Sequence, residues 1–323
     1  MLITLEPGAN RNKVVETLNE VAAEAGDLLS TDGAGREMRL AYLKWVNKTR
    51  AKLRGQISNA DLDRLVTTPR YITVLSMQIT EAPIAVRKNP NPRTGPAWLP
   101  VSGPDTLPIR NMIELEVAEH IRSLEAASAT LRKWSDLLDS LDRPGHFVIA
   151  DSSVYCHHPS RLNAWEVSAD INVLPSHDVH LILPLAVLDE LDRQKDRGQG
   201  GASTNARETI KQLDSLLPNG VVRRRGTAPE NPAFPRGAIT MDLWPDPAGH
   251  IRMVRTDDEI IARAVAFQAL AGRSVHLLTG DIGMCTRARM AGLDSTRLDM
   301  PNATHKPPKA PRGDKHPALT GSN

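Results

Sequence analysis

The chain is poor in the residues that specialised classes of protein depend on. It has only two cysteines, Cys156 and Cys285, and no CxxC pair. A disulfide framework or a thiolate zinc site is therefore excluded, and a reducing compartment is expected. Aromatic residues make up 3% of 323 positions, so the core must be built from Leu, Val, Ile and Ala, and platforms for stacking bases are scarce. The net charge is +2, too near balance to indicate a polyanionic partner by itself. No run approaches the roughly 18 apolar residues that a membrane span requires. The opening MLITLEPGANRNK has no long apolar core or secretory-type cleavage site. A soluble, cytoplasmic protein without membrane contact is expected. Neither GxxxxGK[ST] nor GxGxxG follows a strand, which weakens a nucleotide-binding or phosphotransfer reading.

What is present divides into three zones. Residues 1–140 read as a mainly α-helical region of unknown role. Apolar residues recur at helical spacing in NKVVETLNEVAAEAGDLL, in REMRLAYLKWVNKTRAKLRG and in the long stretch from Asn111 to Leu141. DLDRLV suggests a short helix, RYITVLSMQI a strand or extended segment, and the many prolines between Pro83 and Pro108 a linker. Pro144 and Gly145 open a second zone, 144–300, where the pattern alternates. Strands are expected at His146–Ala150, Val179–Leu183, Val275–Thr279 and near Ser295–Leu298, with VVRRR and AITMDLW as further candidates. Helices are expected after Ser153, from Pro184 to about Lys195, from Ser203 to Leu217 (capped by Ser203 or Thr204), from Asp257 to Leu270, and from Ile282 to Ala291. This alternation predicts an α/β fold, with a parallel sheet covered by helices on both faces. Residues 301–323 are rich in Pro and Lys, and a disordered basic tail is expected.

Acidic residues recur where strands hand over to helices. Asp151 follows HFVIA, Asp281 follows VHLLTG, Asp257 and Asp258 open an apolar helix, and Glu190 lies one turn past LILP. Each has a plain structural explanation: a helix cap for Asp151 and Asp281, dipole compensation for Asp257 and Asp258, an exposed acidic face for Glu190. None of these explains the recurrence on separate βα units. Strand ends of a parallel sheet share one edge, and converging carboxylates call for a hard divalent cation. That chemistry activates water and stabilises a leaving oxygen at phosphorus. Ser152 and Thr279 could add hydroxyl contacts behind such a site.

Basic residues cluster at Arg193, Lys195, Arg197 and Arg207, close to Glu190, and form the candidate nucleic-acid contact. Arg223–Arg225 and the basic helix from Arg36 to Arg54 are alternatives, and a solvated face is the simpler explanation for each. His157 and His158 read as exposed loop residues, with a phosphate contact or proton donor as the other reading. Cys285 reads as buried filler.

The pieces VIADSSVY, ILPLAVLDELD, NARETI, TDDEIIARA and LLTGDIGMCTRARMAGL, in this order and spacing over about 146–298, resemble the PIN-domain ribonucleases. The resemblance implies a three-layer α/β/α sandwich with a parallel sheet and an acidic pocket. It implies Mg²⁺- or Mn²⁺-dependent endonucleolytic cleavage of single-stranded RNA. Its four acids fall on Asp151, Glu190, Asp257 and Asp281, as metal-binding and catalytic residues, with Asp258 as the alternative third acid. It also implies a homodimer, and, for relatives that act as toxins, an antitoxin-like partner, although the large N-terminal region argues against a stand-alone toxin. A PIN-like module that binds RNA or serves as a scaffold without cutting is the competing expectation.

Overall fold

The computed structural model describes residues 1–30, 35–77, 106–139, 145–196, 201–228 and 231–300. Most of the proline-rich linker, the residues around Pro144, Arg197 and the basic tail lie outside them. The Asn10 carboxamide accepts from the backbone N of Asn12 and Lys13 and so caps α1 (Arg11–Leu29). α2 (Gly35–Leu53) follows, and Gly55 beyond it has φ +74°. α3 (Asn59–Leu65) is short. The segment expected to be extended, RYITVLSMQI, is helical from Arg70 to Ser76: α4 spans Pro69–Ser76, and Gln78 and Ile79 lie outside the described residues. Its Tyr, Ile, Thr and Val suggest a strand, but the Thr68 hydroxyl caps the Tyr71 N–H, Pro69 occupies the first turn, and among the described residues no strand pairs with it.

α5 (Thr106–Asp139) is a 34-residue helix whose buried face carries Ile113, Val117, Leu124, Leu131 and Leu138. It packs on α1 and α2. The basic face of α2 is largely used internally: Lys48 and Lys52 pair with Glu24 at 2.8 Å, and Arg39 donates to the carbonyls of Val74 and Leu75. Among the described residues no helix is long and apolar enough to cross a membrane.

The alternating zone forms β1 (His146–Ala150), α6 (Ser152–His157), α7 (Val167–Asp170), β2 (Val179–Pro184) and α8 (Leu185–Asp196). It continues with α9 (Gly201–Leu216), β3 (Val221–Arg223), β4 (Gly226–Ala228), β5 (Asn231–Arg236) and β6 (Ile239–Trp244). The last elements are α10 (Thr256–Ala271), β7 (Val275–Thr279), α11 (Ile282–Met290) and β8 (Asp294–Arg297). Two expected helix starts shift. Pro184 is the last strand residue, opposite Trp244, and α8 begins at Leu185. α9 begins at Gly201, so Ser203 does not cap it; its hydroxyl donates to the Lys195 carbonyl and ties α9 to the end of α8.

The sheet order is β3-β6-β2-β1-β7-β8, parallel throughout except for β3 at one edge. Consecutive residues of β1 and β2 are buried, which in a pleated strand means both faces are covered. The proline-rich insert forms a separate β4–β5 hairpin. Gly237, where this hairpin returns to the sheet, passes so close to the chain ahead of β2 that a Cβ there would lie 1.9 Å from the His177 carbonyl oxygen. Gly237→Ala is therefore expected to cost more than ~2 kcal/mol, read as a lower urea midpoint.

The chain winds from β1 outward through β2 to β6, then crosses back to lay β7 on the other flank of β1. The direction of winding thus reverses between β1 and β7. The crevice outside their carboxyl ends is where doubly wound sheets place ligands.

Candidate active site

Asp151 and Asp281 are carried to that crevice by the ends of β1 and β7. Ala150 pairs with Leu278, and the Asp151 N–H donates to the Leu278 carbonyl at 3.0 Å. The Asp151 carboxylate caps α6, accepting from the backbone N of Ser153 at 2.5 Å and Val154 at 3.2 Å. Its other oxygen accepts from the Thr279 hydroxyl, and that same hydroxyl oxygen accepts from the Asp281 N–H at 3.0 Å. Asp281 in turn caps α11 through the Met284 N–H at 2.6 Å. Capping and convergence are thus the same geometry: to cap a helix that starts at the sheet edge, a carboxylate must sit at that edge. Asp151 is 6% exposed. Burial drives its carboxyl above the usual range, against the opposing pull of its hydrogen bonds with Ser153, Thr279 and Val154.

Glu190 and Asp257 reach the same crevice from helices. On α8, Glu190 forms an ion pair with Arg193 at 2.8 Å and accepts from Gln194 Nε2 at 3.3 Å. Gln194 Nε2 also lies 3.4 Å from the Ser152 hydroxyl, and its carbonyl accepts from the Cys156 thiol, so it ties α8 to α6. At the start of α10, Asp257 and Asp258 share Arg287 of α11: Nη2 lies 2.9 Å from Asp257 Oδ2 and Nε 2.9 Å from Asp258 Oδ1. Arg255 lies 3.7 Å from each carboxylate.

Asp151, Glu190, Asp257 and Asp281 all line one cavity of about 580 Å³, together with Ser152, His157 and Arg255. Asp258 does not line it, and Asp257 does. His157 is half-buried at the end of α6 and faces this cavity; His158 is also half-buried and lies 3.2 Å from Asp170. Neither is the exposed loop residue expected from the sequence. Of the candidate nucleic-acid contacts, Arg193 pairs with Glu190 of the cavity and itself lines a neighbouring recess with Asp189 and Arg252. Lys195 pairs with Asp192 at 2.5 Å, and Arg207 donates to the Lys195 carbonyl at 3.0 Å. Arg223 and Arg225 are engaged by Glu166 and Asp178. Cys285 is buried, as expected.

The cavity's donor set suits a hard divalent cation. It offers four carboxylates. Among the described residues neither Asp151 nor Asp281 is in an ion pair; Asp151 is held by a hydroxyl and two peptide N–H donors, and the Asp281 carboxylate by a peptide N–H. Asp151 is buried with a carboxyl that resists ionisation, the state a bound cation relieves.

A tighter group lies outside the cavity. Ligand atoms of Asp246, His250 and Glu259 fall within 4.8 Å of one another. That group is already charge-balanced: Arg252 lies 2.8 Å and Arg263 3.8 Å from Asp246, and His250 lies 2.6 Å from Glu259. Buried Glu259 also accepts from the Met253 N–H at 2.9 Å. The cluster braces the β6–α10 loop that delivers Arg255 and Asp257. Nothing in the sequence pattern singles it out, since an acid in the first turn of α10 is expected for the dipole alone.

A doubly wound sheet with carboxylates at its switch point defines the class of protein: an α/β domain built around an acidic site. The comparisons narrow that class. Residues 148–299 match the sequence model of the PIN domain, so this part of the chain is similar to a family whose members are generally nucleases. No curated protein matches the chain. Among solved structures it is similar to a domain of a functionally unknown protein from Methanocaldococcus jannaschii, at 16% identity and TM-score 0.30, covering 55% of this chain and 100% of that one. At that score the likeness carries no structural argument.

Proposed function

We propose that this chain is a Mg²⁺- or Mn²⁺-dependent endoribonuclease that hydrolyses phosphodiester bonds of single-stranded RNA, on a three-layer α/β/α fold. The observation that carries this reading is the meeting of four carboxylates, from four separate segments, in one cavity at the switch point. Asp151, Asp257 and Asp281 are the residues that would hold the cation, with Glu190 reaching it directly or through water. When bound, the cation supplies water activation and charge stabilisation at the leaving oxygen. The remaining work falls to the protein. The Thr279 hydroxyl holds the Asp151 carboxylate and the Asp281 backbone in fixed relation. Glu190, on a helix rather than a strand end, is placed to accept a hydrogen bond from the attacking water and orient it. Arg255, which lines the cavity, and Arg193, beside Glu190, offer positive charge that a phosphate backbone can use. No covalent intermediate is required.

The second reading, an RNA-binding module that does not cut, has one observation in its favour: Arg287 and Arg193 already occupy Asp257 and Glu190. Incubation of the full chain with unstructured RNA and Mn²⁺ separates the two. Cleavage that stops with a chelator and returns with Mn²⁺ or Mg²⁺ is expected. RNA binding with no product across several divalent ions would decide for the second reading.

A further inference from the structure

The two adjacent acids at the start of α10 meet one arginine, and they stand in different places. Asp257 lines the acidic cavity and Asp258 does not. Arg287 of α11 reaches both, on unequal terms. Its Nη2 donates a hydrogen bond to Asp257 Oδ2 at 2.9 Å. Its Nε lies 2.9 Å from Asp258 Oδ1, yet this Nε is buried and makes no hydrogen bond among the described residues. The contact with Asp258 is thus one of charge and proximity, with the N–H off the line to the oxygen. A buried donor left unmet costs free energy, and a small rotation of the guanidinium would meet it on Asp258. Gly283, one turn before Arg287 on α11, leaves room for the guanidinium beside the cavity. A Cβ there would lie 3.0 Å from Asp281 Oδ1 and 3.3 Å from Arg287 Nη1. Arg255 lies 3.7 Å from each of the paired acids, too far to hydrogen-bond either.

We propose that Arg287 is a positioning residue for the cation site, moving between Asp257 and Asp258 according to whether a divalent cation holds Asp257; this rests on the function proposed above. An Asp257 oxygen that accepts from Nη2 is not free to hold a cation, and a guanidinium beside a divalent cation is repelled by it. Asp258, one residue along and outside the cavity, is where the guanidinium withdraws, and there Nε gains the hydrogen bond it lacks. The neighbouring acids thus have separate tasks. Asp257 alternates between arginine and cation, while Asp258 retains the arginine. Two consequences follow from the geometry. Without Asp258 the guanidinium has Asp257 alone and competes harder for it. Without Arg287 the Asp257 carboxylate is open to the cation from the outset, and the acids of the cavity lose one charge that screens them from one another.

The test measures Mn²⁺ binding to the full chain, without RNA, from the paramagnetic resonance signal of the free ion. The unmodified chain, Arg287→Gln, Asp258→Asn and the double variant form a double-mutant cycle. Arg287→Gln is expected to bind Mn²⁺ about two- to fivefold tighter, the equivalent of one partly exposed ion pair. Asp258→Asn is expected to bind it more weakly. Combined with Asp258→Asn, the gain from Arg287→Gln should be about threefold larger or more, beyond the scatter of independent sites. Arg255→Gln is the control, with a gain that does not depend on Asp258. Equal gains from Arg287→Gln in both backgrounds would show charges acting independently through space and overturn the proposal. Unchanged or weaker binding by Arg287→Gln would reduce Arg287 to a brace between α10 and α11. Should Arg287→Gln not fold, Mg²⁺ titration of the unmodified chain decides. The Arg287 Nε–H resonance should move downfield and exchange more slowly as it meets Asp258, and an unmoved signal overturns the proposal. Asp151→Asn separates this proposal from the one it rests on. If Asp151→Asn abolishes Mn²⁺ binding and the cycle is additive, Arg287 alone loses its role. If no protein binds Mn²⁺, or Asp151→Asn binds it as the parent does, the cation site falls and Arg287 with it.

Discussion

Asp151→Asn is expected to lose RNA cleavage by a factor on the order of 10²–10³, and at the same time to melt at a higher temperature than the unmodified chain. The two effects have one cause. In the folded protein the carboxyl is buried, and its pKa is raised; in the unfolded chain it titrates near ~3.9. A group whose folded pKa is raised contributes stability below its unfolded value and loses it as pH climbs through the folded value. At neutral pH, without a cation, the buried Asp151 carboxyl therefore works against folding, because burial penalises its charged form. Asparagine removes that charge and keeps the local structure. Its carbonyl can still accept from the N–H groups of Ser153 and Val154, since Asn caps helices as well as Asp does, and its amide can donate to the Thr279 hydroxyl oxygen.

The expected result is a Tm in chelator that rises by at least ~2 °C at pH 7–8, with the gain shrinking as pH falls toward 4. Divalent ions should reverse the order. A ligand at 100 times its Kd adds ~2.7 kcal/mol to a protein that binds it, and the Asn variant should lose most of that gain. A variant less stable than the parent at every pH would mean that the carboxylate is a structural cap and no more. Unchanged cleavage would remove Asp151 from the site.

The elements that the sequence reveals best are those whose residues answer to a single demand. HFVIA, VHLILP and VHLLT are apolar on both faces because both faces are covered, so their pattern needs no partner to be read. Asp151 and Asp281 follow such runs and inherit that legibility. RYITVLSMQI answers to two demands. Its β-branched and aromatic composition favours a strand, while Thr68 and Pro69 favour a helix start, and the helix forms. Arg287 is illegible for another reason. It sits six residues past Asp281 and meets Asp257, thirty positions earlier, only because α10 and α11 pack together. Gln194, linking α6 to α8, and Arg255, at the rim of the cavity, are set in the same way by tertiary contact. Asp151 and Asp281 are readable because strand ends share an edge. Arg287, Gln194 and Arg255 are not, because no local pattern encodes which helix lies beside which.

Phe267→Ala is expected to lower stability by about 3–5 kcal/mol. Phe267 is fully buried on α10, the helix that begins at the third acid. Its ring meets Trp244 of β6 edge to face at 5.1 Å, Phe147 of β1 at 5.3 Å and Trp134 of α5 at 6.4 Å. Trp134 and Trp244 meet in the same manner at 4.8 Å. Each such pair adds ~0.5–1.5 kcal/mol beyond the area it buries, so the loss is not that of one side chain alone. The scarcity of aromatics makes this cluster matter more: it joins the strand that ends at Asp151, the helix that starts at Asp257, and the long helix of the N-terminal region. A drop in Tm of roughly 6–20 °C should accompany the change. Phe234→Ala, at a ring 60% exposed on β5, should stay within about ±0.5 kcal/mol and serves as the control. Below the lowered Tm, cleavage by Phe267→Ala should fall as well, because α10 then seats Asp257 and Arg255 less firmly on the sheet. Full activity at a temperature where the variant remains folded would show that the acids are placed by their own hydrogen bonds, and that the aromatic cluster supports the fold without setting the geometry of the site.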